Sequence, residues 1–117
     1  MRYLAVFKTA ETEAPPTPEN IAEMGQLIGE MAQSGVLLAT EGCQHSSRGG
    51  ARLRKSGTNF SVTDGPFVET KEVIGGFALL EVESKDEAIQ WTKRFMNVAG
   101  DGECEIRQLY ETPAFTK

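Results

Sequence analysis

Residues 75–96 read GGFALLEVESKDEAIQWTKRFM, a strand that runs into a capped helix. The first nine positions, 75–83, are mostly aliphatic and aromatic, and they predict a strand. Alternation puts Ala78, Leu80 and Val82 on one face and Phe77 and Leu79 on the other. Both faces are therefore apolar. Ser84-Lys85-Asp86-Glu87 is a capping box, in which the Ser84 hydroxyl and the Glu87 carboxylate satisfy each other's backbone donors. Ala88, Trp91, Phe95, Met96 and Ala99 then trace one helical face, with Lys93 and Arg94 near its negative end.

Upstream the pattern repeats. Residues 2–8 read as a strand, and 9–16 as a polar loop containing prolines. Thr17 is a candidate N-cap with Pro18 at the first helical position, where a missing N–H costs nothing. Ile21, Met24, Ile28 and Met31 recur at helical spacing, Gly35 ends the helix, and 36–43 form the second strand. Residues 49–63 resemble an inserted hairpin turning at Ser56-Gly57. Residues 103–110 close the order, followed by a tail at 111–117.

The order β-α-β, hairpin, β-α-β predicts an α+β, ferredoxin-like fold: an antiparallel sheet with both helices on one face. The first strand, with Leu4 and Val6 opposing Tyr3, Ala5 and Phe7, is also apolar on both sides. A solvated face would alternate with polar residues. A second copy of the chain is the favoured cover for the free face, making a homodimer, and the inserted hairpin folding over it is the rival.

A chain of 117 residues reads as a single domain spanning 1–117. Twelve basic against seventeen acidic residues disfavour direct nucleic-acid binding. No segment is long and apolar enough for a signal-peptide core or a membrane span, so a cytoplasmic protein with no membrane partner is expected. Cys43 and Cys104 lack metal-ligand spacing, and neither a metal nor another cofactor is expected. Their strands belong at opposite edges of a ferredoxin-like sheet, roughly 14 Å apart and beyond disulfide reach. Both thiols should be free, with Cys43 buried and inert.

The chemistry-bearing stretch is TDGPFVETKE at 63–72. Asp64 can bond its own backbone, Gly65 suits an unusual φ, and Pro66 forbids helix before it. Phe67 can turn inward as an anchor. Glu69 and Lys71 share a face if the chain runs extended, Glu69 and Glu72 if it turns helical. A pocket is expected where the Asp64–Phe67 turn meets the open sheet face. Asp64 would act there as an acid/base carboxylate, with His45 or Lys71 as its acid partner. Phe67, Glu69 and Lys71 would touch the ligand. Arg48, Arg52, Arg54 and Lys55 form one basic run: a solvated edge, or an anion clamp to which Arg54 belongs.

With Glu41-Gly42 and Gly75-Gly76-Phe77, these residues resemble the YCII-related family in its DGPF-motif branch. The resemblance implies a dimeric ferredoxin-like α/β barrel and no fixed reaction. Some relatives resemble lactone isomerases with a proposed His–Asp pair. DGPF relatives are associated with extracytoplasmic-function sigma factors, and the resemblance implies a sigma-factor partner. His45, the sole histidine, stands where DGPF relatives tend to place proline. The expected function is a small-molecule-binding protein, an isomerase- or lyase-like enzyme if it turns over. The alternative is a non-catalytic ligand sensor.

Overall fold

The computed structural model describes residues 1–68 and 70–111. Glu69 and most of the expected tail lie outside the described residues. Six strands and two helices follow in the order β1 (Arg2–Thr9), α1 (Pro18–Gln33), β2 (Leu37–Gly42), β3 (Ala51–Ser56), β4 (Asn59–Asp64), β5 (Val73–Glu81), α2 (Lys85–Ala99) and β6 (Glu103–Gln108). The four-stranded sheet has the order β2-β5-β1-β6, with every neighbouring pair antiparallel. This is the expected ferredoxin-like α+β arrangement.

Both helix starts follow their caps. The Thr17 hydroxyl accepts from the Asn20 amide, and the Ser84 hydroxyl from the Glu87 amide at 3.1 Å. Glu87 reaches back to the Glu83 amide, one residue earlier than a strict capping box. The core lies between helices and sheet: Tyr3, Ala78, Leu80 and Val82 pack with Leu27, Met31, Val36 and Ala88. Thr92 sits in this core because its hydroxyl donates to the Ala88 carbonyl at 2.7 Å.

Three expectations need correction. The buried stripe of α1 runs through Leu27 and Met31, while Ile21 is exposed. The first turn of α1 is held by polar contact instead, with Asn20 Nδ2 donating to the Val98 carbonyl at 2.7 Å. The hairpin turns at Gly57-Thr58, since Ser56 pairs with Asn59. Gly57 has φ 61°, and a two-residue hairpin turn places its glycine first when only one residue takes positive φ. Finally, the hairpin does not cover the open sheet face. All twelve residues of β3 and β4 are exposed. The radius of gyration is 16.0 Å against roughly 13 Å for a compact chain of this length, as a projecting arm requires.

β2 and β6 are the two sheet edges, and Cys43 and Cys104 are both free. Cys43 is exposed, contrary to the expected burial, because it follows the last residue of an edge strand. Cys104 is half-buried, and burial pushes its thiol above the ordinary value. Only thiolate is nucleophilic. Iodoacetamide at pH 8 should therefore alkylate Cys43 well before Cys104, as read by peptide mass spectrometry. Faster labelling of Cys104 would contradict this placement.

Candidate functional site

Three loops meet at one end of the sheet, and Ser46 holds them together. Its hydroxyl donates to Glu11 Oε2 at 2.7 Å, and its amide donates to Glu11 Oε1. The same hydroxyl accepts from the Phe67 amide at 3.0 Å. Its carbonyl accepts from Gly50 at 3.1 Å, and the Gly50 carbonyl accepts from Gly65 at 2.8 Å. Ser46 is buried, as a hub with every polar group bonded should be. It joins the β1–α1 loop, the β2–β3 loop and the turn after β4.

That hub explains the glycine of the 64–67 turn. Gly65 does not take positive φ, contrary to the expectation of unusual backbone there. A Cβ on Gly65 would collide with the Ser46 carbonyl oxygen and lie 2.7 Å from its carbon. Close backbone approach is the requirement. The Gly65-Pro66 peptide is cis. Phe67 is half-buried, with the Arg52 guanidinium 3.9 Å above its ring centroid.

His45 stands beside this hub. Its Nδ1 accepts from the Ser47 amide at 3.2 Å and lies 2.9 Å from the Ser47 hydroxyl. A neutral ring accepting at Nδ1 carries its proton on Nε2. Nε2 lies 3.7 Å from Glu11 Oε2. Burial pushes the Glu11 carboxyl up, but the Ser46 hydroxyl and amide, with His45, outweigh it and hold the group below its ordinary value. Glu11 is thus ionised at neutral pH, and its oxygens are occupied in orienting Ser46.

Glu11 and His45 line a cleft of about 560 Å³, together with Cys43, Thr9, Pro16 and Ile74. Phe7 and Gly75 lie on the same wall. A second cleft of about 420 Å³ shares Phe7, Pro16, Asn20, Gly75 and Ala99 with it. That branch runs toward Met24, Ile28 and Phe95. One continuous depression therefore has a polar end and an apolar end. Among the described residues, no group of three or more His, Cys, Asp or Glu is placed to hold a metal ion.

Asp64 is exposed at the end of β4 and does not line this cleft. Among the described residues its carboxylate makes no hydrogen bond, so the anticipated bond to its own backbone is missing. Lys71 is exposed beyond the turn, and Arg54 is exposed on the hairpin. Glu69 lies outside the described residues. The structure thus brings His45 next to Glu11, a residue that sequence reasoning missed. Glu11 sits 35 positions from Ser46 in a polar loop, and only the fold brings the two together.

The family model described as YCII-related domain matches residues 1–113. An uncharacterised protein of Rhizobium meliloti (strain 1021) is 42% identical over 60 residues, covering 50% of this chain and 48% of that protein. The chain thus spans about half the length of the curated relative it matches. No helix among the described residues is long and apolar enough to cross a membrane.

Proposed function

The chain belongs to the YCII-related family, and from that premise we propose that it binds a small organic molecule in the cleft beside Glu11 and His45. The observation that carries this reading is the His45 ring, fixed by Ser47 and backed by an ionised carboxylate at the polar end of a two-part cleft. The Nε2–H lies 3.7 Å from Glu11 Oε2, beyond hydrogen-bond distance, so it remains a donor for a ligand carbonyl or carboxylate oxygen entering between them. The apolar branch past Met24 and Phe95 takes the ligand's hydrocarbon portion. Polarising a carbonyl in this way is the step an isomerase or lyase needs, and it requires a base nearby.

Asp64, which does not line the cleft, is our candidate for that base on a ligand that extends out of it toward the Ser46 hub. It precedes Gly65, whose backbone rests on Ser46, so its exposed carboxylate flanks the same loop cluster. Phe67 and Lys71, in the segment that follows it, are the proposed ligand contacts. The protein acts as a cytoplasmic homodimer, with the open face of the sheet buried between copies.

A thermal-shift screen of small lactones, keto acids and enols supplies the ligand for the test. His45→Gln should weaken its binding roughly tenfold or more while the unliganded melting temperature holds, since the ring packs nothing in the core. Asp64→Asn should leave binding within a few-fold and abolish conversion. Unchanged binding in the His45 variant would remove the cleft from the function. Binding with no conversion in the wild type would favour the sensor alternative, a module working with an extracytoplasmic-function sigma factor.

A further inference from the structure

The two branches of the cleft meet at a glycine. Gly75 lines both, and the register of β1 with β5 shifts beside it. Phe7 pairs with Gly76 and Lys8 with Ile74, which leaves Gly75 as the extra residue of a bulge. Its carbonyl accepts from the Cys43 amide at 2.8 Å. The backbone does not demand glycine here. Gly75 has no positive φ, and the nearest contacts of an added Cβ would be side-chain atoms, the Thr9 methyl at 3.2 Å and the Phe7 ring at 3.3 Å. Gly76 is different, since a Cβ there would lie 2.8 Å from the Glu41 carbonyl oxygen. Thr9 and Phe7 both line the polar branch. A side chain at position 75 would therefore grow into the junction, and its absence keeps the branches joined.

The apolar branch is long. It follows α1 from Asn20 at the junction to Ile28, about 12 Å of helix. Beneath it, Met24, Ile28 and Phe95 also line a void of about 20 Å³ that reaches Trp91. A small ring fills one branch, and only an elongated ligand spans both. Charge decides what its head can be. Glu11 is ionised and stands 3.7 Å from His45 Nε2. The adjoining recess of about 330 Å³ adds Arg48 and Glu13, and Glu41 lies on the apolar branch. Three carboxylates against one guanidinium disfavour an anionic head and suit a neutral carbonyl.

We propose that the cleft takes an uncharged carbonyl compound with a straight hydrocarbon chain. The carbonyl oxygen accepts from His45 Nε2, and the chain passes over Gly75 into the branch between α1 and the sheet. The inference rests on the cleft reading above and adds the class of ligand and the residue that admits it.

Titration of ¹⁵N-labelled protein with 2-heptanone, 2-nonanone and 2-undecanone, followed by NMR, tests it. Each pair of added methylenes should tighten binding about tenfold. Nonanoate at neutral pH should bind at least tenfold more weakly than 2-nonanone, and an acid that binds as well would overturn the uncharged head. Gly75→Val should flatten the series with unchanged circular dichroism, since valine suits a strand. A variant that keeps the full gain would overturn the role of Gly75. Wild-type protein supplies a measurement that needs no variant. Bromine at the chain end, in 11-bromo-2-undecanone, should quench Trp91, the single tryptophan. Saturation without quenching would overturn the path of the chain. His45→Gln separates the two readings, because it should weaken every ketone by the same factor. A flat wild-type series that still depends on His45 would overturn the chain-bearing ligand and leave the cleft reading standing. A graded series indifferent to His45→Gln would overturn the cleft reading and the head placement with it.

Discussion

Truncating Leu80 to alanine should lower the unfolding free energy by about 2–5 kcal/mol, the usual range for a fully enclosed leucine. Leu80 is 1% exposed. It faces Tyr3 on β1 and Leu37 on β2, with Leu27, Met31 and Ala88 of the helices in the same cluster. Neighbours on three sides belong to rigid elements, so the space left by truncation cannot close. A domain of this size has only about 5–15 kcal/mol of stability to lose. Urea denaturation should show a lower midpoint with an unchanged slope. A loss under about 1 kcal/mol would mean that the core is centred elsewhere.

The same residue shows why the fold was legible in the sequence. Leu80 belongs to a strand apolar on both faces, followed by a self-capping helix start. Those two features, repeated weakly at 2–8 and Thr17-Pro18, imply a sheet covered by helices on one side. They imply an unsolvated second side as well. Periodicity failed at Ile21 because a helical stripe says which face turns inward, not how far along the helix the sheet extends. It missed Thr92 because a threonine that bonds the carbonyl one turn back can pass as apolar.

The site was less legible, for a different reason. TDGPF was recognisable as turn chemistry, but its partners are distant in sequence. Glu11, Ser46 and Phe67 come from three loops, and nothing local to any of them marks the meeting. Reading Gly65 as a φ requirement was the natural local inference. The true constraint is the Ser46 carbonyl pressed against it, which no single-segment pattern can reveal. Cys43 was misplaced likewise, since burial at a strand's end depends on whether that strand is an edge.

Gly65→Ala should therefore be far more damaging than its backbone angles suggest. Gly35 offers the contrast: it has φ 79° and open space around it. Alanine there costs about 1 kcal/mol, from left-handed backbone alone. At Gly65 the angle is ordinary and the obstacle is another stretch of backbone, which has no flexible end to swing aside. Relief requires the turn to lift off Ser46, which breaks the Gly65–Gly50 bond and draws the Phe67 amide from the Ser46 hydroxyl. Overpacking of this kind costs about 1–3 kcal/mol, here concentrated at the root of the hairpin. Trypsin should cut at Arg52, Arg54 or Lys55 much faster in the variant, with the helices still protected. Ligand affinity at His45 should fall with it, because Ser47 and Glu11 hold that ring through the same loop. Gly65→Ala protein that resists trypsin like wild type and keeps its affinity would show that the turn does not depend on this contact.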